Sequence, residues 1–352
     1  MRAARRPQAP ASSARAVTAA ACAASLVMLS ACGGGGSGDA GTTTAAATTT
    51  ADTSTSAAST TADSASTTAS TTASTTTTNS AASAATSTSA TTSSSSGAID
   101  PTNLAGTAHL TFDDEFDGLS LWNGASGTWD TTFYYDDSNV GSTLSGNGEQ
   151  QMYINANYAG ASSVKPWTVS SGVVSLTAAK ASSSISSLIN GYSYTSGMLN
   201  SYHSFSQTYG YFEISAKLPA GQGFWPAFWL MPTNGSWPPE LDVMEVLGKD
   251  PTTLYTTVHY NSDNEMETQN VAVADMSAGF HTYGVDWEAD YITWYFDHKQ
   301  VYRVATPAGL NTPMYLILNL ALGGSWGGDV DQTTPLPGSY QIDYVRVYAA
   351  GT

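Results

Sequence analysis

The sequence contains very little cysteine. Of its 352 residues only Cys22 and Cys32 are cysteines, and both lie near the start of the chain. No disulfide can therefore cross-link the long remainder, and no Cys-x-x-Cys pair or cysteine–histidine cluster is present that would indicate a zinc or redox site. The stability of the protein must come from a packed core.

Basic residues are also scarce. The chain has 11 Lys and Arg against 28 Asp and Glu, a formal net charge of −17. This balance argues against nucleic acid as a partner and disfavours strongly anionic polymers, because no basic patch is available to bind their charges. From residue 99 onward, seven basic residues remain: Lys165, Lys180, Lys217, Lys249, Lys299, Arg303 and Arg346.

The start of the chain is typical of an export signal. Four arginines within the first fifteen residues precede an apolar run over residues 16–29, which is too short to cross a bilayer. The run ends at Leu-Ser-Ala-Cys (29–32) and resembles a bacterial lipoprotein signal. This resemblance implies removal of residues 1–31 and a lipid anchor at Cys32 in the outer membrane or cell surface. Ordinary cleavage, which would release a secreted protein, is the alternative.

Residues 33–98 consist almost entirely of Ser, Thr, Ala and Gly. Such a composition cannot bury enough apolar surface to fold, so the segment 32–98 is predicted to be a disordered tether. As a flexible coil it would span roughly 40 to 50 Å. The remaining residues, 99–352, are long enough for one large domain, which we expect to be monomeric.

Residues 99–352 have the pattern of an all-β domain. Short stretches rich in β-branched and aromatic residues, such as 172–177, 210–217 and 292–297, alternate with Gly, Pro, Asn and Ser clusters. No long segment has a helical period. We therefore predict a sandwich of antiparallel sheets, with a last strand over 340–348 that pairs with an early strand near 110–112.

The segment 238–248 carries an unusual concentration of acid. On a regular strand Glu240 and Asp242 would share one face, and Glu245 would point the other way. A β-bulge at residues 243–244 restores the alternation, so that all three carboxyls line one face. A solvated acidic face is the alternative interpretation, but like charges repel and strands are depleted in acidic residues.

Two glutamates on one sheet face suit glycoside hydrolysis with retention. This chemistry needs two carboxyls about 5 to 5.5 Å apart, one to attack the sugar and one to protonate the leaving oxygen. Asp242 between them would raise the pKa of the group that acts as the acid. The tryptophans of the second half could bind neutral sugar rings, although aromatic residues of β-proteins more often belong to the core.

Residues 240–245 (Glu-Leu-Asp-Val-Met-Glu) resemble the signature of glycoside hydrolase family 16, in the version with a β-bulge. Further stretches resemble the same family in the same order along nearly the whole domain. They are residues 112–118, 147–153, 194–199, 209–213, 225–230, 258–260, 286–287, 319–324 and 342–348.

The resemblance implies a concanavalin A-like jelly-roll sandwich with a concave cleft that binds a polysaccharide. It also implies that Glu240 is the nucleophile, Glu245 the acid/base and Asp242 the assisting carboxylate. No cofactor is expected for catalysis. Many members bind a structural calcium on the convex side, and Asp343 occupies the matching position.

The same resemblance assigns four further residues to the cleft. Trp225 and Trp229 are expected to be stacking surfaces for sugar, and Glu149 a polar contact with substrate. His259 matches a histidine near the acid/base. Without the resemblance, a structural role would be the more common one for a lone histidine.

Other functions remain open from the sequence. A lectin-like module could use the same fold without catalysis, but a degenerate binder is expected to have lost one of the three carboxyls. Residues 194–199 and 237–242 are most similar to bacterial exopolysaccharide depolymerases such as the rhizobial succinoglycan depolymerases. We therefore expect endo-hydrolysis of a β-1,3-1,4 or β-1,3 glucan or of a glucose-containing exopolysaccharide, with a galactan (agarase or carrageenase type) as the alternative.

Overall fold

The computed structural model describes residues 98–136, 139–261, 263 and 265–351. The predicted signal peptide, the acylated Cys32 and all but the last residue of the predicted tether lie outside the described residues. Helices in the described part are short: α1 (Leu104–Thr107), α2 (Ser183–Leu188) and α3 (Gly324–Gly327). None of them has the length and apolar character that a membrane span requires.

Strands account for most of the regular structure in the described residues. In chain order they are β1 (Ala108–Asp114), β2 (Gly141–Ser142), β3 (Gln151–Ile154), β4 (Trp167–Ser170), β5 (Val173–Lys180), β6 (Tyr194–Ser196), β7 (Met198–Asn200), β8 (Gly210–Lys217), β9 (Phe224–Pro232), β10 (Glu240–Glu245), β11 (Thr253–Tyr260), β12 (Glu265–Ala272), β13 (His281–Trp287), β14 (Tyr291–Phe296), β15 (Lys299–Ala305), β16 (Met314–Leu322) and β17 (Gly338–Ala350).

The strands form two sheets, which confirms the predicted all-β sandwich. The six-stranded sheet has the order β12-β11-β10-β9-β16-β7. The eleven-stranded sheet has the order β15-β14-β13-β8-β17-β5-β6-β3-β2, with β1 on β17 and β4 on β5. The predicted pairing of the first and last strands is also confirmed, because Leu110 lies opposite Tyr348 and Phe112 opposite Val347.

The facing sides of the two sheets bury one large apolar core. Phe212 and Ile214 of β8 and Trp294 of β14 contribute from the eleven-stranded sheet, and Leu241 and Met244 of β10 from the six-stranded sheet. Because side chains alternate along a strand, the residues between them point to the outer faces. The outer face of the six-stranded sheet is where the acidic residues of β10 lie.

The segment that enters the domain packs on the other outer face. Ile99 is buried, and its backbone N–H donates a hydrogen bond to Asp286 Oδ2 at 3.1 Å. Val285 and Trp287 on either side of Asp286 point into the core, so Asp286 faces outward from the eleven-stranded sheet. The chain thus joins the domain on the face opposite to β10's carboxyls.

Candidate active site

The predicted bulge is present in β10. Asp242 pairs with Thr257 of β11 and Glu245 with Tyr255, so three steps along β10 match two steps along β11. The extra residue turns both Val243 and Met244 into the core. As a result Glu240, Asp242 and Glu245 share the outer face of the six-stranded sheet, as the sequence predicts.

A tryptophan from the opposite sheet supports the bulge from inside the core. The indole Nε1 of Trp294 donates a hydrogen bond of 2.8 Å to the backbone carbonyl of Asp242, the residue at which the strand register shifts. Both groups are buried, and a buried carbonyl without a partner would be costly. Trp294 therefore stabilises the distorted backbone that brings Glu245 to the outer face.

Each of the two glutamates is held by one indole group. Trp237, in the loop before β10, donates from Nε1 to Glu240 Oε2 at 2.6 Å. Trp225, on β9, donates from Nε1 to Glu245 Oε1 at 2.9 Å. These hydrogen bonds fix the directions of the two carboxylates independently, at opposite ends of β10.

Asp242 and His259 form the centre of the cluster. Asp242 is 2% exposed, and its Oδ2 lies 3.3 Å from His259 Nε2. His259 is paired with Glu240 across β10 and β11. One polar atom from each of Glu240, Asp242 and His259 falls within 4.8 Å of the others, so the imidazole lies against the carboxylates of Glu240 and Asp242.

The sequence of the domain matches a known family. The family model for glycosyl hydrolases family 16 matches residues 154–346, more than half of the chain. The chain belongs to glycosyl hydrolase family 16. The matched range includes β10 with all three acidic residues, and also His259, Trp225 and Asp343.

Two curated relatives come from Rhizobium meliloti (strain 1021). The endo-1,3-1,4-beta-glycanase ExsH is 50% identical over 246 residues, which is 68% of this chain and 51% of ExsH. The endo-1,3-1,4-beta-glycanase EglC is 45% identical over 240 residues, again 68% of this chain and 51% of the relative. The chain therefore spans about half the length of the curated relatives that it matches.

The fold also matches solved members of the family. The catalytic domain of an endo-1,3-beta-glucanase (laminarinase) from Thermotoga petrophila RKU-1 aligns with a TM-score of 0.58 and 29% sequence identity. The alignment covers 70% of this chain and 99% of that structure. This likeness confirms the expected jelly-roll sandwich of the family 16 domain.

The electrostatics of the site raise the pKa of both glutamates. Burial and, next, the charge of Asp242 raise the pKa of Glu240 to about 8, while His259 and the Trp237 hydrogen bond oppose the rise. Burial raises the pKa of Glu245 well above its ordinary value, with added contributions from the charges of Asp242 and Glu240. The three acids interact closely, so the site takes up protons as a unit.

The two cleft tryptophans expected to stack on sugar are nearly covered. Trp225 and Trp229 are each 7% exposed, and the indole Nε1 of Trp229 donates to Asn319 Oδ1 at 2.7 Å. Phe133 packs on Trp229 with ring centroids 6.1 Å apart. Both rings therefore leave little free area, and the Nε1 of Trp225 is bound to Glu245. Stacking of either ring on sugar stays a prediction.

Glu149 lies in a buried network beside the cleft. Its carboxylate accepts hydrogen bonds from Gln151 Nε2 at 2.6 Å and from the backbone N–H of Leu144 at 3.3 Å. Burial raises its pKa to about 7, although these hydrogen bonds oppose the rise. It also contacts Tyr153, whose hydroxyl accepts from Asn319. Contact of Glu149 with substrate stays a prediction.

Sequence reasoning did not identify Trp237 and Trp294 as parts of the site. Trp237 stands three residues before Glu240 in the chain. This short spacing indicated that its side chain could reach the Glu240 carboxyl, because the loop before a strand lies next to the start of that strand. Trp294 is more than fifty residues from Asp242 in the chain. Only the packing of one sheet on the other brings these two together.

Asp343 lies where β17 changes partners. Residues of β17 up to Ile342 pair with β5, and those from Val345 onward pair with β1. The side chain of Asp343 is exposed and accepts a hydrogen bond from Ser215 Oγ at 3.3 Å. An exposed carboxylate is a ligand type that a hard cation such as calcium takes, and calcium binding at Asp343 stays a prediction.

Proposed function

We propose that this family 16 domain is a retaining endo-β-glucanase. The observation that carries the proposal is the bulged strand β10, which places Glu240 and Glu245 on one outer face with a separate indole donor on each. A degenerate binding module would have no need for this arrangement. The two carboxyls can therefore take the two roles of double displacement, one as nucleophile and one as acid/base.

In the first step Glu240 acts as the nucleophile. Its ionised carboxylate attacks the anomeric carbon, and a covalent bond forms as the glycosidic C–O bond breaks. Glu245, whose pKa is raised by burial and by the charges of Asp242 and Glu240, gives its proton to the departing oxygen. Trp237 keeps one oxygen of Glu240 engaged, so that the other oxygen is oriented for attack.

In the second step Glu245 acts as a base. It takes a proton from water, the hydroxide forms a bond to the anomeric carbon, and the bond to Glu240 breaks. Two inversions give net retention. Asp242, buried beside His259, supplies a fixed negative charge that keeps the proton on Glu245 until the leaving oxygen accepts it.

The proposed substrate is a β-1,3-1,4 or β-1,3 glucan, or an exopolysaccharide that contains glucose. The names of the two rhizobial relatives and of the Thermotoga laminarinase support a glucan. The shortage of basic residues disfavours sulfated galactans.

The test is release of reducing ends by the full-length chain from laminarin, lichenan, succinoglycan, agarose and carrageenan. We expect activity on a glucose-based polymer, loss of about ten-thousandfold or more in Glu240→Gln, and a first product with the β-anomeric configuration by NMR. An α-anomeric first product would refute retention. Tight binding without cleavage by the unaltered chain would favour a lectin.

We also propose export with acylation at Cys32, a monomeric state, and a calcium ion held by Asp343. The sequence pattern at the start of the chain supports export with acylation at Cys32, and the position of Asp343 supports the calcium ion. Mass spectrometry of membrane fractions would detect the acylated Cys32, and a free chain in the medium would favour plain secretion. Size-exclusion chromatography with light scattering would test the monomer.

A further inference from the structure

Asp286 is a buried carboxylate with one oxygen left over. Its side chain is 3% exposed and lies on the outer face of the eleven-stranded sheet. Oδ2 accepts the hydrogen bond of 3.1 Å from the backbone N–H of Ile99, whereas the buried Oδ1 has no hydrogen-bond partner among the described residues. A buried polar atom without a partner is costly. A positively charged donor at this place would therefore suit Asp286 best.

The charges near Asp286 do not supply that donor. Burial and, next, the charge of Glu288 raise the pKa of Asp286 to about 8, while the hydrogen bond at Oδ2 and the charge of Arg303 oppose the rise. Arg303 lies two strands away, on β15, about 10 Å from Asp286 across the sheet. Its guanidinium is placed over the ring of Tyr291, 4.1 Å from the centroid. Within the described part of the chain, Asp286 has no salt bridge.

The contacts that hold Ile99 come from residues that follow it. The side chain of Ile99 is 2% exposed, and its nitrogen is bound to Asp286. The backbone N–H of the next residue, Asp100, donates to Thr107 Oγ1 at 3.1 Å. Ala98, by contrast, is exposed. The nitrogen of Ile99 is thus held beside Asp286 by contacts that use no residue ahead of it.

We propose that Asp286 is a receptor for a free amino terminus at Ile99, formed by proteolytic removal of the residues ahead of it. In the last cut, the oxygen of water bonds to the carbonyl carbon of Ala98 and the C–N bond to Ile99 breaks. Ala98 leaves as a carboxylate, and the nitrogen of Ile99 takes up the proton and becomes an ammonium group. This group has three N–H donors and a positive charge where the amide had one donor and none, so it can bind Oδ1 as well as Oδ2.

The composition of the chain ahead of Ile99 suits this processing. Residues 33–98 are almost entirely Ser, Thr, Ala and Gly, and such segments are preferred sites of proteolytic cleavage. Ile99 is the first described residue with a buried side chain. Peptidases that shorten the cut end one residue at a time would therefore meet their first firmly held residue there. The released domain would have one defined start, whatever glycan it cleaves.

The test starts from the full-length chain. Elastase, which cuts after small residues, opens the segment ahead of the domain, and a broad aminopeptidase then removes residues singly. No proline occurs between Pro10 and Pro101, so the first bond to proline that resists the aminopeptidase is Asp100–Pro101. Two end points therefore compete, and they differ by one isoleucine in intact mass. The chain stops at Ile99 if Asp286 holds the ammonium group, and at Asp100 if proline alone stops the enzyme.

We expect the unaltered chain to accumulate with Ile99 first and Asp286→Asn to accumulate with Asp100 first. The half-life of the species that begins at Ile99 should be about tenfold longer in the unaltered chain, because a charge-assisted hydrogen bond must break before the enzyme can bind its end. Asp290→Asn is the matched control. It removes the same charge from an exposed position nearby and should be trimmed like the unaltered chain.

Melting temperature gives a second measurement that needs no variant. Trimming the unaltered chain to Ile99 should raise its Tm by about 2 to 4 °C, since an ion pair replaces a single hydrogen bond to a buried carboxylate. Trimming of Asp286→Asn should leave its Tm unchanged. Circular dichroism checks that each chain is folded before and after trimming.

An unaltered chain trimmed to Asp100, or one that stops ahead of Ile99, would overturn the proposal. Equal persistence of the Ile99 end in the unaltered chain and in Asp286→Asn would overturn it too, because packing alone would then set the end point. So would a Tm that stays the same or falls on trimming. None of these readouts depends on glycan cleavage, so a chain without glucanase activity would contradict the proposed function and leave this inference standing.

Discussion

Replacing Asp242 with Asn should move the whole pH profile of activity to lower pH. The substitution removes one negative charge from between Glu240 and Glu245 and keeps the size of the side chain. Burial is the largest cause of the raised pKa of both glutamates, and the charge of Asp242 is the next. Without that charge both carboxyls lose their protons more easily, so both pKa values fall.

The cluster geometry gives the size of the shift. Polar atoms of Asp242 and Glu240 lie within 4.8 Å of each other. At that separation and an effective dielectric constant of about 20, two unit charges interact by about 3 kcal/mol, or about 2 pKa units. His259 already offsets part of the charge of Asp242, so we expect a fall of about 1 to 2 units.

The signs follow from the roles of the two glutamates. Glu240 must be ionised, so the acidic limb of kcat/KM moves down with the pKa of Glu240. Glu245 must be protonated, so the alkaline limb moves down as well and activity is lost first at the alkaline end of the profile. Profiles of kcat/KM from about pH 4 to about pH 10 measure both limbs.

Asp275→Asn is a matched control, because Asp275 lies exposed in the turn before β13. It should leave both limbs in place. An Asp242→Asn variant whose limbs stay fixed, or move to higher pH, would refute the electrostatic role assigned to Asp242.

Three further changes test single contacts. Trp225→Phe removes the hydrogen bond that lowers the pKa of Glu245. The alkaline limb should therefore move to higher pH, and kcat should fall about tenfold. A pH profile identical to that of the unaltered chain would contradict this expectation. Trp294→Phe leaves the carbonyl of Asp242 without its donor and should lower the free energy of unfolding by about 1 to 3 kcal/mol in urea titrations; equal stability would mean that the bulge does not need it. Calcium at about a hundred times its dissociation constant should raise the Tm of the unaltered chain by about 5 °C or more. The Tm of Asp343→Asn should not rise. A rise in the unaltered chain and in the variant alike would place the ion elsewhere.

The sequence predicts the chemistry of β10 well because that information is local. Three features of the sequence indicate both the bulge and the outward face of the carboxyls. They are the alternation of side chains along a strand, the five-residue separation of Glu240 and Glu245, and the repulsion between acidic side chains that share a face. The pairing of β1 with β17 was predicted from the strand character of both ends. Each of these inferences depends on residues close together in the chain or on a general rule of sheets.

The supporting residues could not be predicted because their roles arise from tertiary packing. Trp225 was expected to bind sugar, and the structure adds that the loop after β16 packs on its ring and that its Nε1 donates to Glu245. Trp294 becomes important only because one sheet lies on the other. A tryptophan in a sequence indicates burial or recognition, and the choice between them depends on what covers its ring.

The attachment of Ile99 has a practical consequence for surface display. Whatever is fused ahead of Ile99 leaves the domain on the outer face of the eleven-stranded sheet, away from Glu240 and Glu245. A domain attached to a bead directly at Ile99 would turn its carboxyls toward the solution. Long polymers could then enter from the open side without first passing between the protein and its support.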